Sequence, residues 1–315
     1  MASEAVPRMS AAVRAWLVVA LVTAVASSGG AEAAERLRVV ATIPDLKALT
    51  EEVGGNLVEV DALVRGTQNP HDLEARPSLM VKVRNADVLV INGLDLDNWA
   101  EAVVLGANNP RVILGAPGRI DASQGIPVLE VPTTRVDRSM GDVHPLGNPH
   151  YTLDPGLMPI VTQNILDGLA RVAPAGRATF AANRQAFLGR LESAMVRWTK
   201  DFEPFRGLKV VSYHNQFIYF LTRFKVVQIG TVEDRAGIPP TPTHLAQLIR
   251  RMRDEKVTRV LLEPWDDRKL AARVAEESGA QVIPMAAGVG AVKGADTYIE
   301  VIDYNVRILT RPGGK

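Results

Sequence analysis

Leu37-Arg38-Val39-Val40-Ala41-Thr42-Ile43-Pro44-Asp45 is an apolar, Val-rich run that ends in Pro-Asp. It reads as a buried strand feeding directly into a helix that reaches Val53. The pattern then repeats. Residues 58–64 form a second strand, 77–86 a helical segment and 88–92 a third strand. Residues 112–131 hold a further short strand and turns, and 132–147 a polar, irregular loop. The alternation restarts at Lys209-Val210-Val211-Ser212-Tyr213, with a turn-rich segment over 230–242, a helix over 243–255, a strand over 259–263, a helix over 267–278, a strand over 281–284 and a closing helix over 296–309. Strands alternating with helices at this spacing predict parallel βαβ units. The fold class is therefore α/β, with two lobes of parallel sheet flanked by helices.

Between the two series lies a long helical stretch, 154–204, interrupted near Pro174. Its later part, some 28 residues and roughly 40 Å if unbroken, is long enough to run along both lobes. The predicted division is an N-terminal lobe over 35–174, a rigid linking helix over 175–203 and a C-terminal lobe over 204–315. Each lobe is expected to have its own core. A ligand between the carboxyl ends of strands in two such lobes would occupy the interlobe cleft.

Residues 1–34 have the layout of a secretory signal peptide: Arg8 and Arg14, an apolar run beginning Ala15-Trp16-Leu17-Val18-Val19, and the small-x-small site Ala31-Glu32-Ala33. Export to a bacterial periplasm is expected. The chain has no cysteine, hence no disulfide framework and no lipid attachment point. Lys plus Arg number 36 against 35 Asp plus Glu, and aromatics are scattered, so no nucleic-acid surface is indicated.

Asn-Pro-His occurs twice, at Asn69-Pro70-His71 and Asn148-Pro149-His150, in a chain of 315 residues with only five histidines. Composition alone would give on the order of 0.01 copies. Proline fixes its own φ and pushes the preceding Asn toward an extended conformation, so each imidazole is presented on a stiff loop. A third histidine, His214 in Tyr213-His214-Asn215-Gln216-Phe217, follows the first strand of the second series. Three imidazoles from separate loops suit a borderline ion such as Zn²⁺. Asp72 or Asp154 could hold the second nitrogen of an imidazole. His144 reads as a solvated loop histidine, His244 as part of a helix start, and Asp266-Asp267 as a helix cap.

These motifs, together with Gly294-Ala295-Asp296-Thr297-Tyr298 and Tyr304-Asn305, resemble the periplasmic zinc/manganese-binding proteins of metal ABC importers over nearly all of residues 36–311. The resemblance implies two α/β lobes joined by one long rigid helix, with a divalent metal in the cleft. It implies His71 and His150 as ligands from the first lobe and His214 from the second. Members of that family usually add an Asp ahead of the final helix, where this chain reads Pro284-Met285-Ala286-Ala287-Gly288. Glu263 is a candidate replacement, and a water is the fourth ligand otherwise expected. Neutral imidazoles favour Zn²⁺ over Mn²⁺, which prefers carboxylate oxygens.

The resulting expectation is a monomeric, high-affinity zinc-binding protein that delivers its ion to a membrane permease, with a periplasmic metallochaperone as a second compatible partner. The alternative is a zinc-dependent hydrolytic enzyme, because three histidines and an open position also build catalytic zinc sites. Against it, no His-Glu-x-x-His or comparable motif supplies a general base. A third class, adhesion or sensing, would use the same lobes as a surface.

Overall fold

Leu37–Ala41 (β1) and Lys209–Ser212 (β5), the apolar segments that open the two series, each lie inside a four-stranded sheet. The computed structural model describes residues 36–134, 136, 141 and 144–311, so the leader expected over 1–34 lies outside the described residues. In the first sheet, β1 is flanked by Val58–Ala62 (β2) and Val88–Ile91 (β3), with Arg119–Asp121 (β4) at the edge. The second repeats this order, with β5 between Val227–Thr231 (β6) and Arg259–Leu262 (β7), and Gln281–Pro284 (β8) outside. Every pairing is parallel. Parallel strands are covered on both faces, which explains why β3 and β7 are almost wholly buried rather than alternating. In this order the chain reverses its direction of travel at β1/β3 and at β5/β7, and a crevice opens beyond the carboxyl ends of those pairs.

The first sheet is covered by Pro44–Gly54 (α1), Pro77–Arg84 (α2), Ala100–Ala107 (α3) and Met158–Val172 (α4). Arg177–Phe202 (α5) follows a short turn at Pro174–Gly176. The second half contains Ile218–Arg223 (α6), Pro242–Asp254 (α7), Arg268–Ser278 (α8) and Tyr298–Leu309 (α9). Local chemistry sets the helix starts. Pro occupies the first turn of α1, α2, α4 and α7, where its missing N–H leaves no bond unmade. Asp267 caps α8 by accepting the Lys269 and Leu270 N–H groups, and Thr297 with Glu300 forms a capping box on α9. Asp266 does not share the cap; it accepts the Glu263 N–H at 2.8 Å.

The long helix α5 has 26 residues and is about 39 Å long. Its buried stripe of Phe180, Phe187, Leu191, Ala194, Trp198 and Phe202 packs against α1 and α4 of the first half and α9 of the second. Phe187 meets Tyr298 edge-on, and Phe202 stacks on Phe224 at 4.5 Å. Each large side chain on that stripe contributes roughly 1.5–3 kcal/mol on burial. Five of them together rival the whole net stability of a domain, roughly 5–15 kcal/mol. The lobes therefore do not have wholly separate cores, contrary to expectation. The largest apolar cluster includes Val39, Leu46 and Ile165 from the first half with Val210, Phe220 and Val306 from the second. Smaller clusters, one around Leu89 and Val103 and one around Leu248 and Val260, lie on single lobes. The described residues between 36 and 311 form one compact unit.

Three elements escape the sequence pattern. The helix α3 is apolar almost all round and shows no clear period, α6 is the β-prone run Ile-Tyr-Phe-Leu-Thr-Arg, and β6 carries Gly230 inside a segment that reads as turns.

Candidate metal centre

The two Asn-Pro-His loops adopt the same local turn. Asn69 Oδ1 accepts the His71 N–H at 3.1 Å, and Asn148 Oδ1 accepts the His150 N–H at 3.0 Å. Asn side chains favour this turn because it mimics a backbone one, and the following proline fixes its φ. Each loop is then pinned from outside. Pro70's carbonyl accepts Trp99 Nε1–H at 2.8 Å, and Pro149's accepts Asn92 Nδ2–H at 3.1 Å. The first loop follows β2, and Asn92, which anchors the second, lies directly beyond β3, so both loops are held near the carboxyl ends of strands.

His214 follows β5 and closes the group from the second sheet. Its Nε2 lies 3.4 Å from His150 Nε2, and its Nδ1 lies 3.0 Å from Glu233 Oε2. One nitrogen from each of His71, His150 and His214 falls within 4.8 Å of the others. The His71 ring stands 5.2 Å from that of His150 and 5.4 Å from that of His214, and its buried Nε2 has no hydrogen-bond partner. Burial pushes the His71 pKa well below the ordinary imidazole range, with the His214 and His144 rings adding to the effect. Burial does the same to His150, assisted by His71, His214 and His144. Both rings are therefore neutral and present lone pairs near pH 7.

Other sequence expectations fare differently. Glu263 stays outside the histidine group. It is buried just beyond β7, with neither carboxylate oxygen hydrogen-bonded, and burial with nearby Asp266 and Glu233 pushes its pKa well above the carboxylate range. Asp72 accepts from Asn69 within its own loop, and Asp154 pairs with Arg223, so neither orients an imidazole. Glu233, just past β6, takes that role for His214. It is 19 residues away in sequence, and only the pairing of β5 with β6 brings it close. His244 is structural, as expected: its N–H bonds the Thr241 cap and its Nε2 contacts the Thr231 carbonyl at 2.9 Å.

His144 is not a solvated loop histidine. Its side chain is only 11% exposed and its ring centroid lies 5.1 Å from that of His71. Burial, with the nearby His214, lowers its pKa to about 4. A cleft of about 580 Å³ borders the group, lined among others by His144, His150, His214, Asn215 and Glu233.

The acid-free stretch 284–288 and the residue after it are packed shut against the first lobe. Asp45 Oδ1 accepts the Val289 N–H at 2.9 Å, and a Cβ on Gly288 would sit 2.6 Å from Asp45 Oδ2. A Cβ on Gly66 would stand 2.3 Å from the Val289 carbonyl oxygen. Gly66 lets the backbones of the two halves close up, and Gly288 makes room for the Asp45 carboxylate.

Residues 39–311 match the family model described as zinc-uptake complex component A, periplasmic. The manganese-binding lipoprotein MntA of Halalkalibacterium halodurans is 26% identical over 300 residues, 92% of this chain and 94% of its own length. The iron ABC transporter substrate-binding lipoprotein MtsA of Streptococcus pyogenes serotype M1 is 26% identical over 279 residues, 86% of each chain. A crystal structure of ZnuA superposes with a TM-score of 0.72 at 26% identity, covering 87% of this chain and 98% of that one.

Proposed function

The chain belongs to the periplasmic zinc-uptake component A family, solute-binding proteins of metal ABC importers rather than enzymes, and from that membership we propose that its cargo is zinc, held by His71, His150 and His214. The observation that carries this reading is the 3.4 Å separation of His150 Nε2 and His214 Nε2. An ion bound tetrahedrally at about 2.0–2.1 Å needs donors about 3.3–3.4 Å apart. His71 supplies the third nitrogen of the group, and its buried Nε2 has no other partner.

The donor set favours zinc over the manganese and iron named for the two relatives. All grouped donors are nitrogens, the stretch 284–288 offers no acid, and Glu263 is not among the group. Manganese prefers carboxylate oxygen, whereas imidazole suits zinc. The chain would act as an exported monomer, its leader over 1–34 removed, passing zinc to an inner-membrane permease and accepting it from solution or from a periplasmic metallochaperone. The lobes over 35–174 and 204–315, bridged by the helix over 175–203, would form the two walls of the cleft.

Calorimetric titration of residues 35–315 with Zn²⁺, Mn²⁺ and Fe²⁺, beside metal analysis of the purified protein, tests this. Zinc should bind tightest and occupy one site per chain. Manganese or iron binding as tight as zinc would overturn the cargo assignment, and zinc binding that survives combined replacement of His71, His150 and His214 by Ala would overturn the site.

A further inference from the structure

His144 belongs to none of the roles assigned so far, and three features set it apart from an ordinary loop histidine. Its Nε2 is buried without a hydrogen-bond partner, an arrangement that costs roughly 1–3 kcal/mol unless something else satisfies the atom. Its Nδ1 lies on the other side of the ring, 3.9 Å from the Asp95 carboxylate. The ring packs 5.1 Å from His71 and 6.4 Å from His150, centroid to centroid.

The backbone holds it there from both sides. The His144 carbonyl accepts the Gly147 N–H at 3.1 Å, a turn that leads straight into Asn148-Pro149-His150. Opposite, Leu94 and Asp95 both have left-handed backbone, φ 50° and 72°, which non-glycine residues adopt at a cost of order 1–3 kcal/mol each. That strained turn, directly after β3, is what brings Asp95 up to His144. An imidazole packed among other imidazoles, with an acid near its Nδ1 and its buried Nε2 left without a partner, has the makings of a metal ligand with an outer carboxylate.

We propose that His144 is the fourth protein ligand of the cargo ion, so that the site is a closed cage of four imidazoles rather than three and a water. The proposal rests on the zinc reading above. It answers the missing acid at 284–288, since the fourth donor comes instead from the loop ahead of the second Asn-Pro-His. The His144 nitrogens lie outside the 4.8 Å group of the other three, so coordination draws the ring inward. A cage of four neutral nitrogens keeps the full +2 charge and selects a tetrahedral, nitrogen-preferring ion such as zinc. It also disfavours manganese further.

X-ray absorption at the zinc edge of the loaded protein counts imidazoles directly. The wild type should show four, and His144→Ala three plus one oxygen donor, with zinc affinity ten- to a hundredfold weaker and unchanged unfolding in the absence of metal. Three imidazoles plus oxygen in both proteins, with equal affinity, would overturn the proposal while leaving the three-histidine site intact. His144→Gln separates ligation from packing: it should lose the fourth imidazole signal and the affinity together, whereas full affinity in that variant would sink the idea. Failure of the zinc reading itself would look different, as undiminished zinc binding by His214→Ala.

Discussion

Arg223 and Asp154 form a two-pronged ion pair across the molecule, with Arg223 Nε 2.6 Å and Nη2 2.8 Å from the two carboxylate oxygens. Arg223 ends α6 in the second half, and Asp154 lies four residues beyond His150. Neighbouring contacts run the same way. Tyr219 Oη–H donates to the Asn148 carbonyl at 2.9 Å, and Tyr298 Oη–H donates to the Thr152 carbonyl at 2.7 Å. The loop bearing His150 precedes the linking helix in sequence, yet it is gripped by side chains that follow it. Gly156 leaves the room: a Cβ there would come within 2.2 Å of Arg223 Nη2.

Replacing Arg223 by Met removes the grip while keeping most of the side-chain volume. We expect unfolding free energy to fall by roughly 1–3 kcal/mol, the range for a charge-assisted pair whose acid is left behind buried. Zinc affinity should weaken about tenfold as the His150 loop loosens. Denaturant melts and competition titrations read the two effects, and unchanged affinity would mean that the first lobe alone positions His150.

Glu233 holds His214 through Nδ1, the usual means of fixing the tautomer and raising ligand basicity. Glu233→Ala should lower zinc affinity by roughly 10–100-fold, and Glu233→Gln by less, because the amide oxygen can still accept the N–H. A Gln variant as weak as the Ala variant would show that charge rather than orientation is what His214 requires.

Asp45 is buried at the seam between the halves, and burial lifts its pKa from the ordinary 3.8 to about 6 despite the Val289 N–H and Thr152 hydroxyl bonds. Between about pH 4 and 6 the folded protein holds a proton that the unfolded chain has released, so this group's contribution to stability falls as pH rises through that window. The size is roughly 3 kcal/mol. Asp45→Asn should therefore be more stable, relative to wild type, at pH 8 than at pH 4. Parallel stability curves for the two proteins across that range would remove Asp45 as the cause.

Gly66→Ala should force the Val289 carbonyl away, destabilising by roughly 1–3 kcal/mol as overpacking does. Scanning calorimetry of metal-free protein should show one transition at lower temperature. A variant melting with the wild type would mean that the seam yields easily.

The fold was legible where periodicity and breakers agree. Pro44, Pro174 and Pro242 mark helix starts or breaks, and the Val-rich strands read directly as buried parallel strands. What stayed hidden depends on tertiary context. The run Ile218–Arg223 is helical because Tyr219 and Phe220 pack under the seam, overriding their β preference. In the site, the doubled Asn-Pro-His pointed to His71 and His150, and the strand end pointed to His214. Nothing local distinguishes His144 from a solvated histidine, since its burial comes from the turn over residues 93–95 and from His71. Glu233 was equally silent, because strand pairing rather than spacing brings it to His214.

The matching Asn-Pro-His turns have a consequence for speed. Each turn is closed by its own asparagine and proline, so the imidazoles are already oriented before an ion arrives. Capture then freezes few torsions, and little of the binding energy is spent on ordering the loops. A turn closed in this way resists opening to let an ion go. We expect handover to a transporter to act on the spacing between His214 and the two twin turns, with the mechanical work of release falling on the partner rather than on this chain.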